Sequence, residues 1–149
     1  MKKIKQQLFE ACKSYVLQRE QTIKETISSN KQALHSETKS SAGDKHETGR
    51  AMLQLEMEKA GQQLGIINQM KTTLDRVVLA DTTTVIKLGS LVITNNNNYF
   101  LAISAGEIKI NNTIYYAVSI ASPIGRLLLG KREGDQLEFN GKMFIEKVI

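Results

Sequence analysis

Apolar residues recur at helical spacing from the start of the chain: Ile4, Leu8, Ala11/Cys12, Tyr15/Val16, Ile23, Ile27 and Leu34. Residues 3–39 contain neither Pro nor Gly, so nothing interrupts a helix there. The stripe thins around Arg19 and Asn30, which predicts a face packed on one partner rather than a helix buried all round. A break follows at Lys39-Ser40-Ser41-Ala42-Gly43-Asp44, with Gly43 suited to the left-handed position after a helix end. The pattern then restarts as Leu53, Met57, Ala60, Leu64, Ile67 and Leu74, a heptad seam over about three heptads. Two long helices joined by so short a connection must run antiparallel as a hairpin. A shaft of about 35 residues would extend roughly 50 Å at the α-helical rise.

After Asp75-Arg76 the helical period is lost and β-branched residues take over, from Val77 through Thr94. The run Asn95–Asn98 predicts a hairpin turn tolerating positive φ, with Tyr99–Ile103 as the return strand. Asn111-Asn112 marks a turn between strands at 107–110 and 113–120. Asn140-Gly141 marks another between 136–139 and 142–149. Between them Ser122-Pro123 opens a short helix, Ser122 capping and Pro123 at its first position. Ile124, Leu127 and Leu128 are expected inward, with Gly130 ending the helix. The chain thus reads as α+β: an antiparallel helical hairpin over 1–78 with its acidic tip at 40–47, then a small β-rich domain over 79–149.

Composition narrows the function. Apolar residues make up 41% and charged residues 23% of the 149, which suits a soluble folded chain. No apolar run approaches the roughly 20 residues needed to span a bilayer. The basic N-terminus is followed by no apolar signal core. These features lead us to expect a cytoplasmic protein without membrane contact, and we therefore discount the formal glycosylation site at Asn111. Cys12 is the single cysteine, which excludes an internal disulfide and a multi-cysteine zinc site; its spacing places it on the apolar face of the first helix. The net charge of +5 is unevenly spread, with a balance of +4 over residues 1–39 and −1 over 40–60. A basic helix face suits an acidic partner surface, but no interleaved aromatic residues offer stacking to nucleic acid.

Chemistry concentrates in two places. Asp44 and Glu47 stand three residues apart at the start of the second helix, an arrangement that caps a helix and complements its dipole. The same two carboxylates at the end of a long shaft could also hold a divalent cation or orient a water inside a partner. His35 and His46 are the only histidines and have no ligand cluster around them. Gly130-Lys131 lacks the spacing of a phosphate loop. Further on, Arg126, Lys131 and Arg132 form a basic cluster beside the short helix, suited to a partner surface.

Ser-Pro-Ile-Gly-Arg-Leu-Leu-Leu-Gly-Lys at 122–131, followed by Glu-Gly-Asp and a closing hairpin, resembles the C-terminal signature of the Gre transcription elongation factors. Gly43-Asp44-Lys45-His46-Glu47 is similar to the acidic tip of that family, at a matching place in the hairpin. The resemblance implies an FKBP-like C-terminal domain that docks on bacterial RNA polymerase at the rim of its secondary channel. Ser122, Pro123, Ile124 and Arg126 would then be docking positions. It also implies a coiled coil reaching the active centre, where Asp44 and Glu47 help hold a second Mg²⁺ shared with the polymerase. The polymerase itself would cleave the backtracked nascent RNA, so the factor is no enzyme by itself, binds no cofactor alone, touches RNA indirectly and acts as a monomer. The chain departs from the family at Thr48-Gly49-Arg50, where Gly49 loosens the helix start and Arg50 places positive charge near the carboxylates. Two other readings are a non-cleaving regulator occupying the same channel and an FKBP-like chaperone or isomerase. The latter ranks last, because the C-terminal half lacks an aromatic-lined pocket.

Overall fold

The computed structural model describes residues 2–39, 43–80 and 84–149, and within these the side chains of all but 37–39 and 43–47. Helix α1 spans Lys2–Lys39 and α2 spans Gly43–Asp75. Strands β1 (Leu91–Thr94), β2 (Asn98–Ala102), β3 (Gly106–Ile110) and β4 (Thr113–Ser119) follow. Helix α3 (Pro123–Leu128) and strands β5 (Gln136–Glu138) and β6 (Lys142–Val148) complete the chain. The fold is α+β, a long helical region followed by a six-stranded mixed sheet. Its residues fall into two compact units, one made of 1–15 with 71–149, the other of 16–70.

The helical unit is built on heptad burial. Along α2, Ala60 and Ile67 are buried while Leu53, Met57 and Leu64 are half-buried, and α2's seam goes on to the buried Leu74. Along α1, Val16, Ile23 and Asn30 are buried at seven-residue steps. Val16 and Ile67, Ile23 and Ala60, and Asn30 and Leu53 stand at near-equal distances from the segment joining the helices, as antiparallel pairing requires. The expected gap in the α1 stripe is not a gap in packing. Arg19 is half-buried and Asn30 buried, so the seam runs on through polar side chains. Gly43 also departs from expectation: it is the first residue of α2 rather than the residue terminating α1.

The sheet runs in the order β3-β4-β2-β1-β6-β5. All neighbours are antiparallel except β2 and β4, which pair in parallel with Tyr99 opposite Tyr116 and Leu101 opposite Val118. The chain leaves β2, returns as β3 on the outer edge, and β4 fills the place between them. Asn111 and Asn112 both adopt positive φ (51° and 64°), the two-residue turn that matches strand twist. Asn140 (54°) and Gly141 (112°) do the same for β5–β6. The Asn run works differently. Thr94 Oγ1 accepts from the Asn96 and Asn97 amides (3.2 and 3.0 Å) and donates to the Asn97 carbonyl (2.6 Å), so the β1–β2 turn needs no left-handed Asn. Asn98 already belongs to β2. The β-branched stretch from Val85 is also shorter as strand than its composition suggests. Val85 forms an isolated bridge to Arg132, and Gly89 turns at φ 92°, where an added Cβ would come within 3.2 Å of Val77 Cγ1.

Period-two alternation gives the sheet two buried faces. Val92, Tyr99, Leu101, Met143 and Ile145 cluster with Ile124 and Leu128 of α3. Leu91, Phe100 and Ala102, the alternate positions, are fully buried as well. Leu8, Cys12 and Leu74 are buried in the same unit, and Cys12 meets the Ile103 backbone through a hydrogen bond just beyond β2. The first turns of α1 and the end of α2 therefore belong with the sheet.

Candidate functional site

Asp44 and Glu47 lie in the first turn of α2, three positions apart and hence on neighbouring helical sites. Their side chains, like that of His46, lie outside the described residues. The helix begins one residue before the cap position expected for Asp44, so both carboxyl-bearing residues are within it. Thr48 and Arg50 are exposed on the following turn and Gly49 is half-buried. Carboxylate oxygens are the hard donors that Mg²⁺ prefers, and two of them leave most of an octahedral shell to be supplied by another molecule or by water. Among the described residues no three His, Cys, Asp or Glu side chains gather into a metal site.

The second candidate is the turn into α3. Ser122, with extended backbone (φ −69°, ψ 160°), caps the helix: its Oγ accepts from the Gly125 amide at 3.1 Å and donates to the Ser119 carbonyl at 2.6 Å. The Arg126 amide donates to the Ser122 carbonyl (2.9 Å), and Pro123 fills the first helical position, where no amide is needed. Gly125 is buried against the end of β4. Ser122 is therefore occupied in holding the turn, and Ile124 is buried in the core. Pro123 and Arg126 are exposed.

Two apolar residues join them that the sequence pattern did not place outward. Leu127, expected inside, is 39% exposed, and Leu129 is 44% exposed. A six-residue helix can bury only one face, and Ile124 and Leu128, four apart, take it. Three consecutive leucines could not all have been core, which is the signal that marked Leu127 and Leu129. Gly130 then turns out at φ 85° with its amide on the Ile86 carbonyl (2.9 Å), and the Lys131 carbonyl accepts from the Ile86 amide (2.8 Å). Arg132 is held by its amide on Asp135 Oδ2 (2.8 Å). Neither the Arg126 nor the Arg132 guanidinium has an ion-pair partner among the described residues.

This surface of proline, two leucines and free guanidinium groups can bind, but it holds no nucleophile with an adjacent base. Cys12 offers none either: burial pushes its thiol up to about 12, so it stays protonated and inert. His35 is exposed on α1. The two candidate sets belong to different compact units, Asp44 and Glu47 to the helical one and Ser122–Arg126 to the one containing the sheet. Among the described residues no helix is long and apolar enough to cross a membrane. Comparison with protein-family models gives no match, and comparison with curated proteins gives none either.

Proposed function

We propose that this protein is a bacterial, cytoplasmic transcription elongation factor that binds RNA polymerase in its secondary channel and stimulates cleavage of backtracked nascent RNA by the polymerase active site. The observation that carries the reading is the pairing of two features on one chain. One is a helical hairpin with Asp44 and Glu47 in the first turn of α2; the other is a small β-rich domain with a rigidly capped, partly apolar and basic turn at 122–132. Helices of 38 and 33 residues have the length to carry a chemical group deep into a partner, about 50 Å at the helical rise.

On this reading the sheet-bearing unit docks through Pro123 and Arg126, with Leu127 and Leu129 adding apolar contact. Ser122 and Ile124 act indirectly, one by capping α3 and the other by anchoring it in the core. Asp44 and Glu47 would supply carboxylate oxygens to a Mg²⁺ shared with the polymerase active site. Such a cation would supply Lewis-acid activation of the water that attacks the RNA phosphodiester. The factor needs no cofactor of its own, touches nascent RNA only indirectly, and works as a monomer.

Thr48-Gly49-Arg50 favours a second reading, a regulator that occupies the channel without cleaving. Gly49 weakens the helix directly behind the acidic pair, and the exposed Arg50 brings a positive charge close to it. Stalled, backtracked elongation complexes separate the two. Shortening of the RNA on addition of the factor and Mg²⁺ supports cleavage stimulation. Binding without shortening gives the regulator, and no binding to polymerase rejects both.

A further inference from the structure

Asn30 sits in the seam of α1, only 8% exposed, and its Nδ2 is buried with no acceptor among the described residues. A buried amide that donates to nothing is destabilising, and separation of the helices around it is the direct way for water to satisfy it. Burial differs on its two sides. Towards the sheet-bearing end, Val16 and Ile23 on α1 and Ala60 and Ile67 on α2 are all buried. On the other side, none of the described positions 31–36 and 48–53 is fully buried: Ala33, Leu34, Gly49 and Leu53 reach only half-burial. Gly49 adds backbone freedom in the same stretch of α2.

We propose that the layer at Asn30 is a joint built into the hairpin. Pairing of 31–36 with 48–53 opens and recloses while the pairing of 16–28 with 57–70 stays shut. A partner that favours the closed form would then order this end of the hairpin by binding it. The joint follows from burial and hydrogen bonding alone and stands independently of any role in transcription.

Hydrogen exchange followed by mass spectrometry on the full chain tests it. Amides of 31–36 and 48–53 should exchange at least about tenfold faster than those of 16–28 and 57–70, the contrast expected of local opening. Asn30→Leu, which removes the unpaired donor, should slow exchange in the first group and leave the second unchanged. Asn30→Asp, which puts a charge into the same layer, should accelerate the first group alone. Equal protection on both sides of Asn30, or variants that shift both groups by the same factor, would overturn the proposal.

Discussion

A methyl group at Gly125 would run into the Ser119 carbonyl oxygen and come within 2.9 Å of the Ile120 Cα, backbone atoms that cannot swing aside. Gly125→Ala should therefore push α3 off the sheet, costing about 2–4 kcal/mol as a forced overpacking with loss of the cap. Ser122→Ala removes the cap alone and should cost about 1 kcal/mol. Urea denaturation of both variants checks the ranking, and an equal cost for the two would mean that close packing does not set this turn. Cys12 gives a pH dependence of known sign. Its thiol rises from 9.0 to about 12 in the folded chain, so above pH 9 the unfolded chain loses a proton that the folded one keeps. Stability contributed here is complete below pH 9 and falls by about 1.4 kcal/mol per pH unit towards 12. Unfolding midpoints at pH 8 and 10.5 should fall further for the wild type than for Cys12→Ala; identical slopes would contradict the burial argument.

At the scale of elements, the features legible in the sequence were those that local chemistry decides. Asn111-Asn112 and Asn140-Gly141 need positive φ, and they turn where expected. Ser122-Pro123 starts a helix because one residue caps and the other lacks the amide to be capped. The heptad of α2 was readable because its seam positions carry apolar side chains, whereas the seam of α1 looked broken at Arg19 and Asn30, polar residues that are nonetheless tucked into it. The parallel pairing of β2 with β4 and the placing of β1 between β2 and β6 were not legible, since neither leaves a mark at the strands themselves. The Asn95–Asn98 turn stands where the Asn run predicts it, but Thr94 rather than left-handed asparagines holds it. Gly61 and Gly65 of α2 have open space where a Cβ would stand. Replacing either by Ala should stabilise the chain by about 0.5–1 kcal/mol, read as a raised melting temperature. A loss of stability would show that these glycines are needed for close approach.

For the whole molecule, the change from helix to strand near residue 77 marks where one kind of element ends, while packing groups residues 1–15 with the sheet. Periodicity reports an element's end, not the partner its side chains meet, and Leu8 and Cys12 are written into α1 like any other seam residue. The acidic pair was legible only as two carboxyl residues at a helix start. What gives them a proposed role is the capped turn far along the chain, with its exposed Pro123, Arg126, Leu127 and Leu129. On the proposed function, docking and chemistry fall in two separate parts of the sequence, and they can be tested apart. Arg126→Glu with Leu127→Asp should abolish binding to polymerase while leaving the circular dichroism spectrum unchanged, since both side chains face solvent.

On the proposed function, Asp44 and Glu47 assist phosphodiester hydrolysis in the polymerase. The direct measurement is the rate of RNA shortening in backtracked elongation complexes across a Mg²⁺ titration, with wild type, Asp44→Asn and Glu47→Gln at saturating factor. The wild type should accelerate cleavage, and each isosteric variant should bind equally well but lose about a hundredfold in rate, as removal of a charge-stabilising group does, with part of the loss recovered at high Mg²⁺. Cleavage by the variants at the wild-type rate would contradict it.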